Sequence, residues 1–174
     1  SKTSFSMPFI LAGILFAIIL HGYLRDGVAT WIPSLISETF NLSTNISILT
    51  GVVFPVFSIL INYLVSVIYR KAIRNELVLA GLFFGVAAFS ALVLVLFREK
   101  NTFLTVCASS LVTGAMHGVN LMLVCMVPSR FSKYGRTSLI SGLLNSFTYL
   151  GSSISAYGMA AYTERFGWDS MALF

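Results

Sequence analysis

The chain has 174 residues, 57% of them hydrophobic and 10% charged, with a net charge of +5 and a mean hydropathy of +0.89. An ordinary soluble domain carries about 25% charged residues, so these charges are too few for a water-facing surface, and their placement between apolar runs speaks for topology rather than for a nucleic-acid partner. At about 20 apolar residues per crossing the length suits five or six transmembrane helices, and unbroken apolar runs in place of period-two alternation exclude a closed barrel.

The first predicted span covers about 7–37. It is apolar from Met7 to Leu20, meets His21, Gly22, Tyr23, Leu24, Arg25, Asp26 and Gly27, and resumes through Trp31, Ile32 and Pro33. This is too long for an upright crossing, so the helix either tilts and protrudes or is interrupted near the glycines. Further spans are predicted over about 46–69, 77–97, 103–127 and 138–162, and a sixth begins at Trp168. The chain therefore reads as an excerpt, five complete spans and the start of a sixth, with no signal peptide. Cys107 and Cys125 share one apolar run, so a disulfide between them would need a helix to fold back, and both read as packing residues.

Alternate loops differ in charge. One set holds Lys2, Arg70, Lys71, Arg74, Arg130, Lys133 and Arg136 against Glu76 alone; the other balances Arg98, Lys100 and Arg165 against Glu38, Glu99, Glu164 and Asp169. The positive-inside rule places the N-terminus and both basic loops in the cytoplasm. The outer loop after the first span carries the sequons Asn41-Leu42-Ser43 and Asn45-Ile46-Ser47.

Three spans carry polar stripes. Ser138, Ser141, Asn145, Thr148, Ser152 and Ser155 recur three or four residues apart on one face of the fifth, as Thr105, Ser109, Thr113, His117 and Asn120 do in the fourth and Ser58, Asn62 and Ser66 in the second. The third, with Ser90 as its single strongly polar side chain between Leu77 and Phe97, has the pattern of a lipid-surrounded helix. For the hydroxyls the first reading is helix packing, and Gly81-xxx-Gly85 and Gly114-xxx-Gly118 read likewise. Stripes on several helices also suggest a shared cavity. Ionisable groups weigh more, because a charge at the bilayer centre is tolerated mainly in a cavity or a pair. His21, Arg25 and His117 are the candidates. Arg25 either faces a cavity or marks the outer end of the first helix, paired with Asp26; each His either contacts a ligand or makes an interhelical hydrogen bond. The echo His21-Gly22…Pro33 and His117-Gly118…Pro128 falls on the first and fourth spans, which run in opposite directions as the members of a three-helix inverted repeat must.

No paired carboxylates, His-rich cluster or Gly-x-Ser-x-Gly nucleophile is present, and the acidic residues lie near predicted helix ends or loops, so no catalysis, metal or cofactor is expected. The motifs Leu24-Arg25-x-Gly27-x-x-x-Trp31-x-Pro33, Gly142-x-x-x-x-Phe147-x-Tyr149-Leu150-Gly151 and Phe166-Gly167-Trp168-Asp169 resemble the second half of major facilitator superfamily transporters, most closely the organophosphate:phosphate antiporters. The resemblance covers nearly the whole chain, 1–174. It implies an all-α polytopic bundle, the C-terminal six-helix half of a bacterial inner-membrane carrier whose partners are its N-terminal half, the lipid bilayer and a small solute. It also implies that the plain third span is peripheral, that Arg25 stands at an anion-binding position, where a guanidinium offers two parallel hydrogen bonds, and that Tyr149 lines the cavity. Asp26 and Thr113 depart from the family pattern, which leaves an anionic solute, not specifically a phosphate ester, as the expectation. The expected substrate-binding set is His21, Arg25, Trp31, His117, Asn120, Asn145 and Tyr149; the alternative function is a solute sensor with a transporter fold.

Overall fold

The computed structural model describes residues 3–40, 44–97 and 100–167, and among these the side-chain environments of 9, 12–37, 52–97 and 100–167. The predicted sixth span, Lys2, Arg98, Glu99 and the sequon at Asn41 lie outside the described residues. Every regular element among them is helical: α1 (Thr3–Phe40), α2 (Thr44–Lys71), α3 (Glu76–Phe97), α4 (Thr102–Asn120), a π-helical turn (Leu121–Met126), α5 (Val127–Ser129), a 3₁₀ turn (Ser132–Tyr134) and α6 (Thr137–Phe166). Four stretches are long and apolar enough to cross a membrane: Ala12–Ser37, Val52–Lys71, Glu76–Phe97 and Thr102–Ser129. The fifth long helix, α6, is not among them, because its face is dense in Ser and Thr.

α1 is continuous through residues 21–27, so of the two expectations for this over-long helix the interruption does not occur. The glycines there serve contact instead. A Cβ on Gly22 would stand 2.1 Å from the Thr148 carbonyl oxygen, one on Gly151 would stand 1.9 Å from the Ile19 carbonyl oxygen, and one on Gly27 would stand 2.2 Å from Ser155 Oγ. Small residues thus bring the backbones of α1 and α6 together, the usual means of association where no hydrophobic drive exists between helices. Gly114 meets Ile61 and Gly118 meets Val65 and Phe83, as a packing motif should. Gly81 and Gly85 differ: a Cβ there meets nothing within 4 Å, so among the described residues this pair is no contact motif.

α4 is the centre of the bundle, packing against α1, α2 and α3. Its Val112, Ala115, Met116 and Val119 are buried among Ile18, Val65, Phe83 and their neighbours. α3 buries Leu79, Ala80, Phe83, Ala87, Ser90 and Leu94 on that side and exposes Val78, Leu82, Val86, Phe89, Leu92 and Leu96 on the other. It touches α2 only marginally. α1 lies against α6 much as α4 lies against α2, a pairing that an inverted repeat of three would generate.

The end of α4 departs from α-geometry for a local reason. Pro128 has no N–H to return to the Val124 carbonyl four residues back; the chain widens into the π turn, with Val127 N–H reaching Met122 O, and the Ser141 hydroxyl of α6 donates to Val124 O at 3.3 Å. The freed carbonyl has a partner from the next helix.

Glu76 ties the two basic connections together. It opens α3, where Asn75 caps the Leu77 and Val78 N–H groups at 3.0 and 3.3 Å, and it is 4% exposed. Tyr69 donates its hydroxyl to Glu76 Oε1 at 2.6 Å, and Arg130 forms an ion pair with Oε2. That hydrogen bond holds the Arg130 guanidinium above even the usual arginine range. Arg70, Lys71, Arg74, Arg130, Lys133 and Arg136 therefore belong to one end of the bundle.

Candidate functional site

Most hydroxyls in the polar stripes bond to their own helix. Ser58 donates to Phe54 O, Ser66 to Asn62 O, Ser109 to Thr105 O and Thr148 to Leu144 O, at 2.7–3.3 Å. Thr148, Ser152 and Ser155 of α6 lie against α1, so in this stretch the stripe on α6 is a packing surface, the first of the two readings the sequence allowed.

The charged part of the site is built on α1. Arg25 Nε and Nη2 donate to the two carboxylate oxygens of Asp26 at 2.5 and 2.8 Å, and the side chains are 15% and 35% exposed. Ser152 of α6 donates to Asp26 Oδ2. The pairing of Arg25 with Asp26 was one sequence alternative, but its placement was not: the pair stands in mid-helix, with α1 running on to Phe40. Asp26 thus corrects the expectation that every acidic residue lies near a helix end or loop. It also orients the guanidinium, whose Nη1 edge stays outside the ion pair.

His21 and His117 both lie within electrostatic range of Arg25 and Asp26, and of each other. His21 is fully buried, and its Nδ1 sits 3.3 Å from the Ile18 carbonyl. A carbonyl only accepts, so Nδ1 is the donor of this contact, and in the tautomer that carries its single proton there Nε2 is an acceptor. His117 opens on a cleft of about 360 Å³ between α1, α2 and α4, lined by Ala29, Pro55, Ser58, Asn62, Thr113 and His117 among others.

Of the remaining expected residues, Trp31 lines a different, smaller apolar cavity of about 110 Å³ with Tyr23, Leu94, Val112 and Met159. Asn120 is half-buried one turn beyond His117, Asn145 is half-buried on α6, and Tyr149 is 60% exposed on α6. The structure gathers His21, Arg25 and His117; no described hydrogen bond joins Asn120, Asn145 or Tyr149 to them. The expected substrate-binding set did not include Asp26, Asn62 or Thr113. Asn62 had a signal in its stripe on α2, and Thr113 in its stripe with His117.

Comparison with protein-family models, curated proteins and solved structures finds no match to this chain. The site therefore rests on its own geometry: a fixed guanidinium with one edge outside its ion pair, two histidines within its electrostatic range, and a largely apolar cleft that has Ser58, Asn62, Thr113 and His117 on its wall. Such a set can hold a small anion through charge-assisted hydrogen bonds. Among the described residues there is no group of three His, Cys, Asp or Glu side chains placed to hold a metal ion, and the two cysteines are free thiols.

Proposed function

We propose that this chain is the C-terminal six-helix half of a secondary transporter of the major facilitator type, moving a small anionic organic solute by alternating access between two halves. The observation that carries the reading is the meeting of Arg25, Asp26, His21 and His117 inside a bundle of apolar helices. Ionisable groups at membrane depth are costly and are retained where a solute or ion pathway needs them. The peripheral α3, the pairing of α1 with α6 and of α4 with α2, and the two basic connections gathered at one end all suit such a half. In this reading the open face of the cleft and the exposed Tyr149 turn toward the N-terminal half, and the basic end faces the cytoplasm of a bacterial cell.

The test is equilibrium binding of inorganic phosphate, sugar phosphates and carboxylates to the full-length protein and its Arg25→Ala variant, followed by flux in proteoliposomes. One anion class should bind, and the variant should lose it by about a hundredfold, the loss of a charge-assisted bidentate contact. Equal binding by both forms overturns Arg25 as the anchor. Binding without flux turns the reading to a solute sensor.

A further inference from the structure

Four buried polar atoms of α1, α2 and α4 have no hydrogen-bond partner among the described residues, and two of them belong to residues that line the His117 cleft: Asn62 Oδ1 and Thr113 Oγ1, besides His21 Nε2 and Asn120 Oδ1. Native structures rarely leave such atoms orphaned, because each forgoes its solvation without compensation. Thr113 is 1% exposed and lines the cleft together with Asn62, which faces it from α2.

The chemistry of the orphans is one-sided. The two amide oxygens only accept, His21 Nε2 accepts in the tautomer that carries its single proton on Nδ1, and the Thr113 hydroxyl can do either. The Asn62 amide nitrogen beside them is a donor, so the cleft wall matches a group that both gives and takes a hydrogen bond, as a hydroxyl does. Ser58 cannot supply a donor to the orphans, since its hydroxyl already donates to Phe54 O at 2.8 Å. A cation is a poor fit, because no carboxylate lines the cleft. At about 360 Å³ the cleft has room for far more than one water.

We infer that the cleft between α2 and α4 reads hydroxyl groups of the transported solute, with Asn62 and Thr113 as its specificity-determining residues. The solute is then a hydroxylated organic anion, its anionic end at Arg25 and its hydroxyls donating to Asn62 Oδ1 and exchanging hydrogen bonds with Thr113 Oγ1. This rests on the transporter reading for the anion but not for the cleft.

The experiment measures equilibrium binding to the complete protein of probe pairs that differ by one hydroxyl, malate against succinate and 3-hydroxybutyrate against butyrate, with glycerol as a neutral probe. The parent should prefer the hydroxylated member by about tenfold, the worth of a hydrogen bond whose absence leaves buried acceptors unpaired. Thr113→Val and Asn62→Leu should each reduce that preference to about threefold or less without weakening the deoxy member, and Thr113→Ser should keep it. Equal binding of both members by the parent, a preference that persists in both variants, or no binding by any probe overturns the inference and leaves the cleft to water. If glycerol binds in a Thr113-dependent way and no anion does, the cleft stands and the anionic-solute reading falls. If anions bind through Arg25 without regard to the hydroxyl, the reverse holds.

Discussion

At Arg25 the local pairing sets what the side chain can do. Asp26 takes two of its donors and is itself held by Ser152. Asp26→Asn removes a negative charge beside the anion position while keeping a hydrogen-bonding side chain, and is expected to raise affinity for the bound anion about three- to tenfold, read by calorimetry. Asp26→Ala leaves the guanidinium uncompensated and is expected to lower stability by about 1–3 kcal/mol, less than for a fully buried pair because the carboxylate is 35% exposed. Glu76 obeys the same asymmetry. Arg130→Ala leaves a buried carboxylate with Tyr69 as its remaining described side-chain partner, whereas Glu76→Gln removes the charge and keeps polar atoms in place; the arginine variant should therefore have the lower Tm of the two in detergent.

Among the helices, α4 and α6 are joined by a contact that a break in one creates and a hydroxyl of the other fills. Ser141→Ala should destabilise the bundle by about 0.5–1.5 kcal/mol. In a Pro128→Ala background, where position 128 regains an N–H for Val124 O, the same change should cost little, and the difference in a double-mutant cycle measures the coupling. α1 and α6 depend on glycine in the same direct sense. With a Cβ at 151 only 1.9 Å from the Ile19 carbonyl oxygen, a backbone atom that cannot swing aside, Gly151→Val is expected to cost about 3 kcal/mol or more and to separate the two helices. Gly81→Ala, which meets nothing, should be nearly silent. Ser146, Thr148, Ser153 and Thr163 donate to their own helix three or four residues back, so their polarity is largely met within the helix.

For the molecule as a whole, the prediction concerns orientation. Tyr69, Glu76 and Arg130 bring the connections at 71–76 and 129–137 to one end, and the last turn of α3 and the first turn of α4 lie at the other. With Cys107 and Cys125 replaced by Ala, a membrane-impermeant maleimide applied to intact cells should label Asn101→Cys and leave Ala72→Cys and Ser132→Cys unlabelled until the membrane is opened, as the positive-inside rule requires. The opposite labelling pattern overturns the cytoplasmic assignment of the basic end.

Composition and periodicity determined the helical character and the apolar stretches long enough to cross a membrane, the almost wholly apolar make-up of α3 and the polar faces of α2, α4 and α6, because hydrophobicity and the 3.6-residue repeat act on each segment by itself. The same local logic singled out His21, Arg25 and His117 as ionisable groups among apolar neighbours. Periodicity names a face but not what stands opposite it. Only the tertiary structure decided that Ser152 meets Asp26 in mid-helix, that Glu76 is buried between Tyr69 and Arg130, that Trp31 turns to a separate apolar cavity, and that Asn62 and Thr113 share a cleft with orphaned oxygens. Each of these joins residues from different helices, and which helices lie side by side is settled by the close approach of backbones at Gly22 and Gly151 and by the side chains seated on Gly114 and Gly118, an outcome of packing that no single segment encodes.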